Sequence, residues 1–268
     1  MKDNLSYLIH QNKRVILIYK PVGKTPLEMI TELKKINPLL VKEKISYAGR
    51  LDPMADGLLL LLVGDENKER AHYLKLPKTY YARVVFGIAT DSYDCLGLIQ
   101  QTSNKSPSLE KIQSVLKTLI GEIQQAPPLF SSYRVQGKPL FYYARKGSTK
   151  NIDIPKIKRT VFDAKLIDYK LITKHELKKI IFKNLSLVKG DFRQDEIIKK
   201  WQDFFDTTKQ EKFVMSQIEF NVSSGTYIRA LANHIGVMSG NSAFALTLTR
   251  TKIGGYSGLK EVYLSEEK

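Results

Sequence analysis

The sequence is poor in the side chains that usually bind metals or form disulfides. It has one cysteine, Cys95, and only four histidines in 268 residues. A lone cysteine excludes an internal disulfide, and the histidines are not spaced like metal ligands. The longest apolar run, Leu58 to Val63, is far too short to cross a bilayer, and the polar N-terminus (1–14) lacks the apolar core of a secretion signal. We therefore expect a cytoplasmic protein without a membrane segment or a metal site.

Acidic residues are also scarce, with 27 Asp and Glu against 43 Lys and Arg, for a formal net charge of +16. Such an excess is typical of proteins that bind a polyanion, although a generally lysine-rich composition is the alternative. Residues 134–159 hold eight of the basic residues and one Asp, interleaved with aromatic residues. That mixture suits phosphate binding and stacking on unpaired bases, so we predict an RNA-contacting face that includes Arg134, Lys138 and Arg145.

Hydrophobic periodicity and end signals predict an α+β protein. Thr25, Pro26 and Glu28 form a capping signature for a helix over 26–36, and Ser108 begins another over 108–119. Further helices are predicted over 64–76 and 225–239, the latter with Tyr227, Leu231, Ile235 and Met238 on one face, together with a charged helical segment over 174–212 that we interpret as an insertion. Strands are predicted over 14–19, 58–63, 78–88, 156–170, 213–222 and 243–253, with a proline-broken loop over 124–134. Because strands outnumber helices without regular βαβ alternation, a mixed or antiparallel sheet is favoured.

The stretch from Tyr47 to Gly57 (YAGRLDPMADG) presents a carboxylate at Asp52 inside a glycine-bracketed loop. Gly49 and Gly57 permit backbone angles closed to other residues, and Pro53 restricts Asp52 to an extended conformation. Read alone, this could be a turn with an Asp cap or a rigidly held nucleophile or base.

Several separated motifs occur in one order that resembles the TruB family of tRNA pseudouridine synthases. They cover nearly the whole chain and comprise KPVGKT (20–25), GRLDPMADGL (49–58), KTY (78–80), PPLFSS (127–132) with YAR (143–145), GTYIR (225–229) and LTRT (248–251) with Gly254. The resemblance implies a pseudouridine synthase fold, with a long sheet, flanking helices and a central RNA-binding cleft. It also implies conversion of uridine to pseudouridine without an organic cofactor, at uridine 55 in the T-arm of tRNA.

By this resemblance Asp52 takes the place of the catalytic aspartate. It would attack the ribose C1′ or the uracil C6, or assist ribose deprotonation, and the residues leave these three routes open. An enclosed carboxylate needs a nearby cation, and we predict Arg229 for this role, the alternative being an exposed helix arginine. Tyr80 resembles the residue that stacks on the flipped uracil, the alternative being an aromatic core residue of a strand.

The resemblance further implies a set of RNA contacts. These are Lys20, Tyr47, Lys78, Arg134, Lys138, Arg145, Tyr227, Leu248 and Arg250. Tyr47 stands where the family usually has a histidine, and it can stack on a base but cannot become a cation near neutral pH. Asp56 stands where the family commonly has a small hydroxyl residue, and we interpret it as a cap that closes the loop.

We expect one catalytic domain over 1–268, without a full C-terminal RNA-binding domain after Gly254. It should act on tRNA as a monomer without an obligate protein partner. Two other functions remain open, namely an RNA chaperone that refolds tRNA and a synthase of the same chemistry that acts on another RNA.

Overall fold

The computed structural model describes residues 7–10, 14–149, 152–190 and 192–258. The helices are α1 (Pro26–Ile36), α2 (Arg70–Lys75), α3 (Leu109–Leu119), α4 (Leu140–Arg145), α5 (Lys174–Leu187), α6 (Gln194–Thr207) and α7 (Ile228–Met238), with short 3-10 helices at Pro38–Leu40 and Gly64–Glu69. The strands are β1 (Tyr7–His10), β2 (Val15–Lys20), β3 (Ile45–Tyr47), β4 (Ala55–Val63), β5 (Lys78–Phe86), β6 (Ile88–Thr90), β7 (Ile99–Thr102), β8 (Gly121–Gln125), β9 (Arg134–Val135), β10 (Lys138–Pro139), β11 (Ile157–Thr173), β12 (Lys212–Val222) and β13 (Ala243–Ile253).

Nine strands form one continuous sheet in the order β1-β2-β4-β13-β5-β12-β11-β8, with β3 added beside β4. β13 runs parallel to β4 and antiparallel to β5, so the predicted mixed sheet is confirmed. β4 is buried along almost its whole length, as expected for a central strand covered on both faces. This central position fixes the loop that leads into β4, which carries Asp52.

Local signals predicted the capped helices correctly. The Thr25 side chain accepts a hydrogen bond from the Glu28 amide, and the Glu28 side chain accepts one from the Thr25 amide, which completes the capping box of α1. Ser108 caps α3 in the same way through the Lys111 amide. Each such cap satisfies helix N–H groups that would otherwise lack a partner.

The structure corrects three predicted elements. The segment 124–134 is not wholly a loop, because its first two residues end β8, which pairs with β11. The helix predicted over 64–76 divides into a 3-10 helix and α2. α7 begins at Ile228 rather than at Gly225, because residues 223–226 form a turn, and Met238 at its end is 46% exposed and does not share the buried face.

The charged segment 174–212 is helical as predicted, and its apolar side chains belong to the main core. Trp201 is fully buried and donates its indole N–H to the Cys95 carbonyl at 3.1 Å. Asn184 of α5 donates to the Leu246 carbonyl of β13 at 3.3 Å. The segment is therefore packed into the sheet that carries the central strands.

Two predictions concern residues that the structure does not describe. The terminus after Gly254, where no further domain is expected, includes residues 259–268, which lie outside the described part, as do 1–6 and 11–13 of the polar N-terminus. Within the described residues, none of the helices combines the length and the apolar character that a membrane crossing would need.

Candidate active site

The Asp52 loop is held by close backbone packing on both sides. Gly49 and Gly57 adopt φ values of +97° and +109°, which favour glycine, as the sequence predicts. A Cβ at Gly57 would lie 2.3 Å from the Arg250 carbonyl oxygen, so the loop and β13 approach too closely for any side chain. The Gly23 amide donates to the Pro53 carbonyl at 2.9 Å, which ties the loop after β2 to the residue next to Asp52. The Asp52 side chain remains 34% exposed, so a substrate can reach it.

Arg229, the second residue of α7, binds the Asp52 carboxylate directly. Its Nε donates to Asp52 Oδ2 at 2.7 Å, although the two residues are 177 positions apart in the chain. Its other nitrogens donate to the Ser92 carbonyl at 2.6 Å and the Phe130 carbonyl at 3.2 Å, and Nη1 forms an ion pair with Asp94 Oδ2 at 3.0 Å. Arg229 is only 2% exposed, so the alternative of a solvated helix arginine is excluded.

Asp94 is a site residue that the sequence analysis missed. It is 3% exposed, and its Oδ1 accepts hydrogen bonds from the Ser92 hydroxyl at 2.7 Å and the Leu96 amide at 2.8 Å. The sequence predicts no site residue there, and nothing local indicates that the Asp94 carboxylate meets an arginine 135 residues later. The one indirect signal was the predicted enclosure of Arg229, because a buried guanidinium is stabilised by a second, buried carboxylate in addition to a partly exposed one.

Burial and charge act in opposite directions on this group of side chains. Burial raises the pKa of Asp94, while the Arg229 guanidinium and the hydrogen bond from Ser92 act against that rise. Burial alone would lower the pKa of Arg229, but the Asp52 and Asp94 carboxylates outweigh it and raise the pKa further. Arg229 is therefore a permanent cation that joins the two carboxylates.

The predicted aromatic and apolar site residues lie on neighbouring strands. Tyr80 of β5 and Leu248 of β13 are 9% and 4% exposed, and they share one hydrophobic cluster with Leu51 and Met54 of the Asp52 loop. Tyr227 immediately precedes α7, and burial raises the pKa of its phenol, with a further contribution from the Asp52 carboxylate. The electrostatic effect of Asp52 on its phenol places Tyr227 near that carboxylate, while the roles of Tyr80, Leu248 and Tyr227 toward a base stay predictions.

The side chains of Lys20 and Lys78 are buried, and both ammonium groups bind backbone carbonyls. Lys20 Nζ donates to the carbonyls of Pro21 and Lys24 at 2.8 and 3.0 Å. Lys78 Nζ donates to the carbonyls of Leu74 and Leu76 at 2.7 and 2.6 Å. Burial lowers the pKa of each ammonium to about 8. Each ammonium thus binds backbone carbonyls and has little exposed surface, and the contact of these two residues with RNA stays a prediction.

Arg250 is buried in the same way, and its contact with RNA likewise stays a prediction. It is 1% exposed, and its guanidinium donates to the carbonyls of Leu58, Arg50 and Gly49 at 2.7, 3.2 and 3.3 Å. All three carbonyls belong to the Asp52 loop or the strand that follows it. Arg250 therefore shapes the loop from within the core, a position that its pattern in the sequence could not distinguish from a surface cation.

Three of the other predicted RNA contacts face solvent. Arg134, Lys138 and Arg145 are exposed, on or next to the short β9–β10 hairpin and α4. Lys138 Nζ lies 4.8 Å from the centre of the Tyr142 ring, and Arg145 lies 5.3 Å from that of Phe141. Cations stacked on rings in this way can bind phosphates and bases together.

Tyr47 lies partly exposed at the start of the Asp52 loop. Its hydroxyl accepts a hydrogen bond from Arg50 Nε at 3.3 Å, and Arg50 Nη1 donates to the Ser132 hydroxyl at 3.0 Å. Arg50 thus adds a cation beside an aromatic ring that cannot itself carry one. Asp56 is not the predicted loop cap, because it lies within β4 and accepts a hydrogen bond from the Tyr19 hydroxyl at 2.7 Å. Among the described side chains, no group of three or more His, Cys, Asp or Glu residues is placed to bind a metal ion.

Comparison with solved structures identifies the fold. A Cbf5-Nop10-Gar1 complex contains a chain that matches with a TM-score of 0.53 at 21% identity, over 90% of this chain and 49% of that one. An H/ACA RNP bound to a substrate RNA containing 2′-deoxyuridine matches with a TM-score of 0.52 at 20% identity, over 92% and 49%. This chain therefore spans about half the length of those solved chains.

Comparison of sequences identifies the family of this chain. The model of the TruB family pseudouridylate synthase (N terminal domain) matches residues 37–182, which places the chain among the pseudouridine synthases, a class of isomerases. The tRNA pseudouridine synthase B of Chlamydia pneumoniae is 34% identical over 244 residues, which cover 91% of this chain and 83% of the relative. That of Caldicellulosiruptor saccharolyticus is 37% identical over 155 residues, 58% of this chain and 52% of the relative. The chain belongs to the TruB family, and its fold is the pseudouridine synthase fold, as the sequence motifs predicted.

Proposed function

We propose that this chain converts uridine to pseudouridine in tRNA, at uridine 55 of the T-arm, with Asp52 as the catalytic carboxylate. The observation that carries the proposal is the contact between Asp52 and Arg229, a partly exposed carboxylate fixed by a buried arginine. The relatives in Chlamydia pneumoniae and Caldicellulosiruptor saccharolyticus are both named tRNA pseudouridine synthase B, which supports tRNA as the substrate.

The reaction needs a nucleophile or base held beside the glycosidic bond. The bond from ribose C1′ to uracil N1 breaks, the base rotates, C5 bonds to C1′, and the proton leaves C5 while N1 gains one. Asp52 suits this chemistry because Arg229 Nε binds its Oδ2 while about a third of the Asp52 side chain stays exposed to a substrate. A preorganised ion pair of this kind supplies charge stabilisation without reorganisation during the reaction. Attack at C1′, attack at C6 and ribose deprotonation all fit this geometry.

The uridine must leave the stacked T-loop before Asp52 can reach it. Tyr47 and Arg50 lie at the start of the Asp52 loop, where an aromatic ring can replace the lost stacking and the guanidinium can bind a phosphate. The exposed Arg134, Lys138 and Arg145 extend the positive surface along the RNA. We further propose that Tyr80 stacks on the extruded base and that Leu248 packs against it.

Tritium release from C5-labelled uridine in a T-arm stem-loop tests the reaction, and the same RNA with cytidine at the target tests the position. We expect release from the first RNA and none from the second. Asp52→Asn should abolish release while tRNA binding, measured by filter retention, stays within about threefold, because this change removes the charge but little volume. A protein that refolds tRNA but releases no tritium from any tRNA would instead be a chaperone.

A synthase directed at another RNA would release tritium from that RNA in preference to the T-arm. Competition between labelled T-arm and unlabelled total RNA without tRNA distinguishes this case. Sedimentation of the free protein tests the expected monomer, and the expected cytoplasmic location follows from the same proposal.

A further inference from the structure

Arg193, which directly precedes α6, lies against two loops that form the candidate active site. Arg193 makes two hydrogen bonds with Asp91, from Nη1 to Oδ2 at 2.8 Å and from Nη2 to Oδ1 at 3.3 Å. The centre of the same guanidinium lies 4.0 Å from that of the Phe130 ring. Both members of the pair are mostly buried, with side chains 22% and 18% exposed, so this contact is stronger than an ordinary surface ion pair.

Arg193 thereby contacts the two segments that hold the Arg229 guanidinium. Asp91 is followed directly by Ser92, whose carbonyl accepts from Arg229 Nη1 at 2.6 Å. Phe130 itself supplies the second carbonyl, which accepts from Arg229 Nη2 at 3.2 Å. One side chain from the charged segment thus fixes both backbone acceptors of the arginine that orients the catalytic carboxylate.

The end of α5 contacts the other side of the same site. A Cβ at Gly23 would lie 2.1 Å from the Leu187 carbonyl oxygen, so α5 packs directly on the backbone of the loop after β2. Gly23 also donates to the carbonyl of Pro53, the residue after Asp52. Leu187 at the end of α5 therefore contacts the loop that holds Asp52, and Arg193 before α6 contacts the segments that hold Arg229.

The backbone at Arg193 is unusual for its residue type. Its φ is +61°, in the left-handed region that non-glycine residues rarely occupy and that costs about 1–3 kcal/mol. Such a conformation persists only where the surroundings determine it. In this conformation the Arg193 side chain makes its contacts with Asp91 and Phe130.

We propose that Arg193 is a positioning residue for pseudouridine formation, which acts through Asp91 and Phe130 to hold the Arg229 guanidinium toward Asp52. This proposal rests on the proposed function and assigns a role to the segment 174–212. Arg193 touches neither substrate nor reacting atoms. Its effect is on the rate of the chemical step, because small displacements of a catalytic group lower that rate sharply.

The test compares Arg193→Gln and Arg193→Lys with Arg14→Gln. Arg14 also pairs with a carboxylate, that of Glu43, but across a distant part of the sheet, so it is a matched control. We expect Arg193→Gln to lower the single-turnover rate on the T-arm stem-loop by roughly 10- to 100-fold while KM changes less than about twofold. Arg193→Lys keeps the charge but not the two-point contact, and it should fall between Arg193→Gln and wild type. Arg14→Gln should retain the wild-type rate.

A second readout does not depend on activity. In wild type, the Arg229 Nε–H that donates to Asp52 should give a slowly exchanging nitrogen-15 signal, identified by its loss in Arg229→Lys. The signal should shift or exchange faster in Arg193→Gln and remain unchanged in Arg14→Gln. If wild type releases no tritium, the proposed function fails, and this signal still decides whether Arg193 positions Arg229.

Three outcomes would overturn the proposal. The first is a rate in Arg193→Gln within twofold of wild type. The second is a loss confined to KM, which would make Arg193 an RNA contact. The third is an unchanged Arg229 signal. If Arg193→Gln does not fold, the same criteria apply to Arg193→Lys.

Discussion

Replacing Arg229 by methionine tests how the site balances its charges. The change keeps a long side chain but leaves Asp94 buried, and Asp52 partly buried, without their shared cation. Removing one partner of a buried ion pair costs about 3–5 kcal/mol, because the remaining charge is desolvated and unpaired. We therefore expect the free energy of unfolding to fall by about 4 kcal/mol at pH 8, with a lower thermal midpoint by roughly 10 °C.

This penalty should depend on pH in a defined direction. Burial already raises the pKa of Asp94, and loss of the guanidinium that opposes this effect raises it further. Folded Asp94 then binds a proton more tightly than unfolded Asp94, so the free energy of unfolding of Arg229→Met falls as pH rises through the raised pKa. The difference from wild type should therefore be smaller at pH 5 than at pH 8. Urea denaturation at both pH values measures it.

A double variant separates charge from geometry. Arg229→Met combined with Asp94→Asn removes the buried charge together with its partner, so it should be more stable than Arg229→Met alone at pH 8 by about 2 kcal/mol. It should not recover tritium release, because Asp52 still lacks its hydrogen-bond donor, and we expect a loss of roughly a hundredfold or more in both variants. A double variant no more stable than Arg229→Met would refute the reasoning that Asp94 is an anion balanced by Arg229.

Two further predictions concern the support of the loop. Gly57→Ala should lower the free energy of unfolding by more than about 3 kcal/mol, measured by thermal denaturation, because the new Cβ would lie 2.3 Å from the Arg250 carbonyl oxygen. Gly240 also has a positive φ but lies in open space, so Gly240→Ala should lower it by only about 1 kcal/mol, and equal losses in the two variants would contradict the argument. Lys78→Met should change the pH dependence of stability: burial lowers the pKa of Lys78 to about 8, so the wild-type free energy of unfolding gains up to about 1.4 kcal/mol per pH unit from this residue between pH 8 and 10. The difference between wild type and variant in urea denaturation should show that slope, and parallel curves would exclude a buried, easily neutralised ammonium.

Local sequence signals predicted much of the fold. The capping box at Thr25 and Glu28, the serine cap at Ser108 and the strand that begins at residue 78 depend on neighbours within a few residues, and each was confirmed. β8 was missed because its sequence, GEIQQ, is polar and partly exposed, with no apolar alternation to mark a strand at the edge of the sheet. Its pairing with β11 depends on the partner strand rather than on its own residues.

The candidate site divides in the same way. The glycine-bracketed loop marked Asp52, and the motif after Gly225 marked Arg229, but the burial of Lys20, Lys78 and Arg250 was not predicted. From a sequence alone, a lysine or arginine is predicted to lie on the surface, because ammonium and guanidinium groups are mostly solvated in proteins. Only backbone carbonyls brought together from distant segments can satisfy them in the core.

The sequence by itself determined the two glycines that bracket the Asp52 loop and the capped starts of α1 and α3, because these depend on neighbouring residues. Only the tertiary structure decided that Asp94 shares Arg229 with Asp52, and that Arg193 of the charged segment contacts Asp91 and Phe130 beside them. The physical reason is that a buried charge is stabilised by every partner within a few ångströms, whatever their separation along the chain.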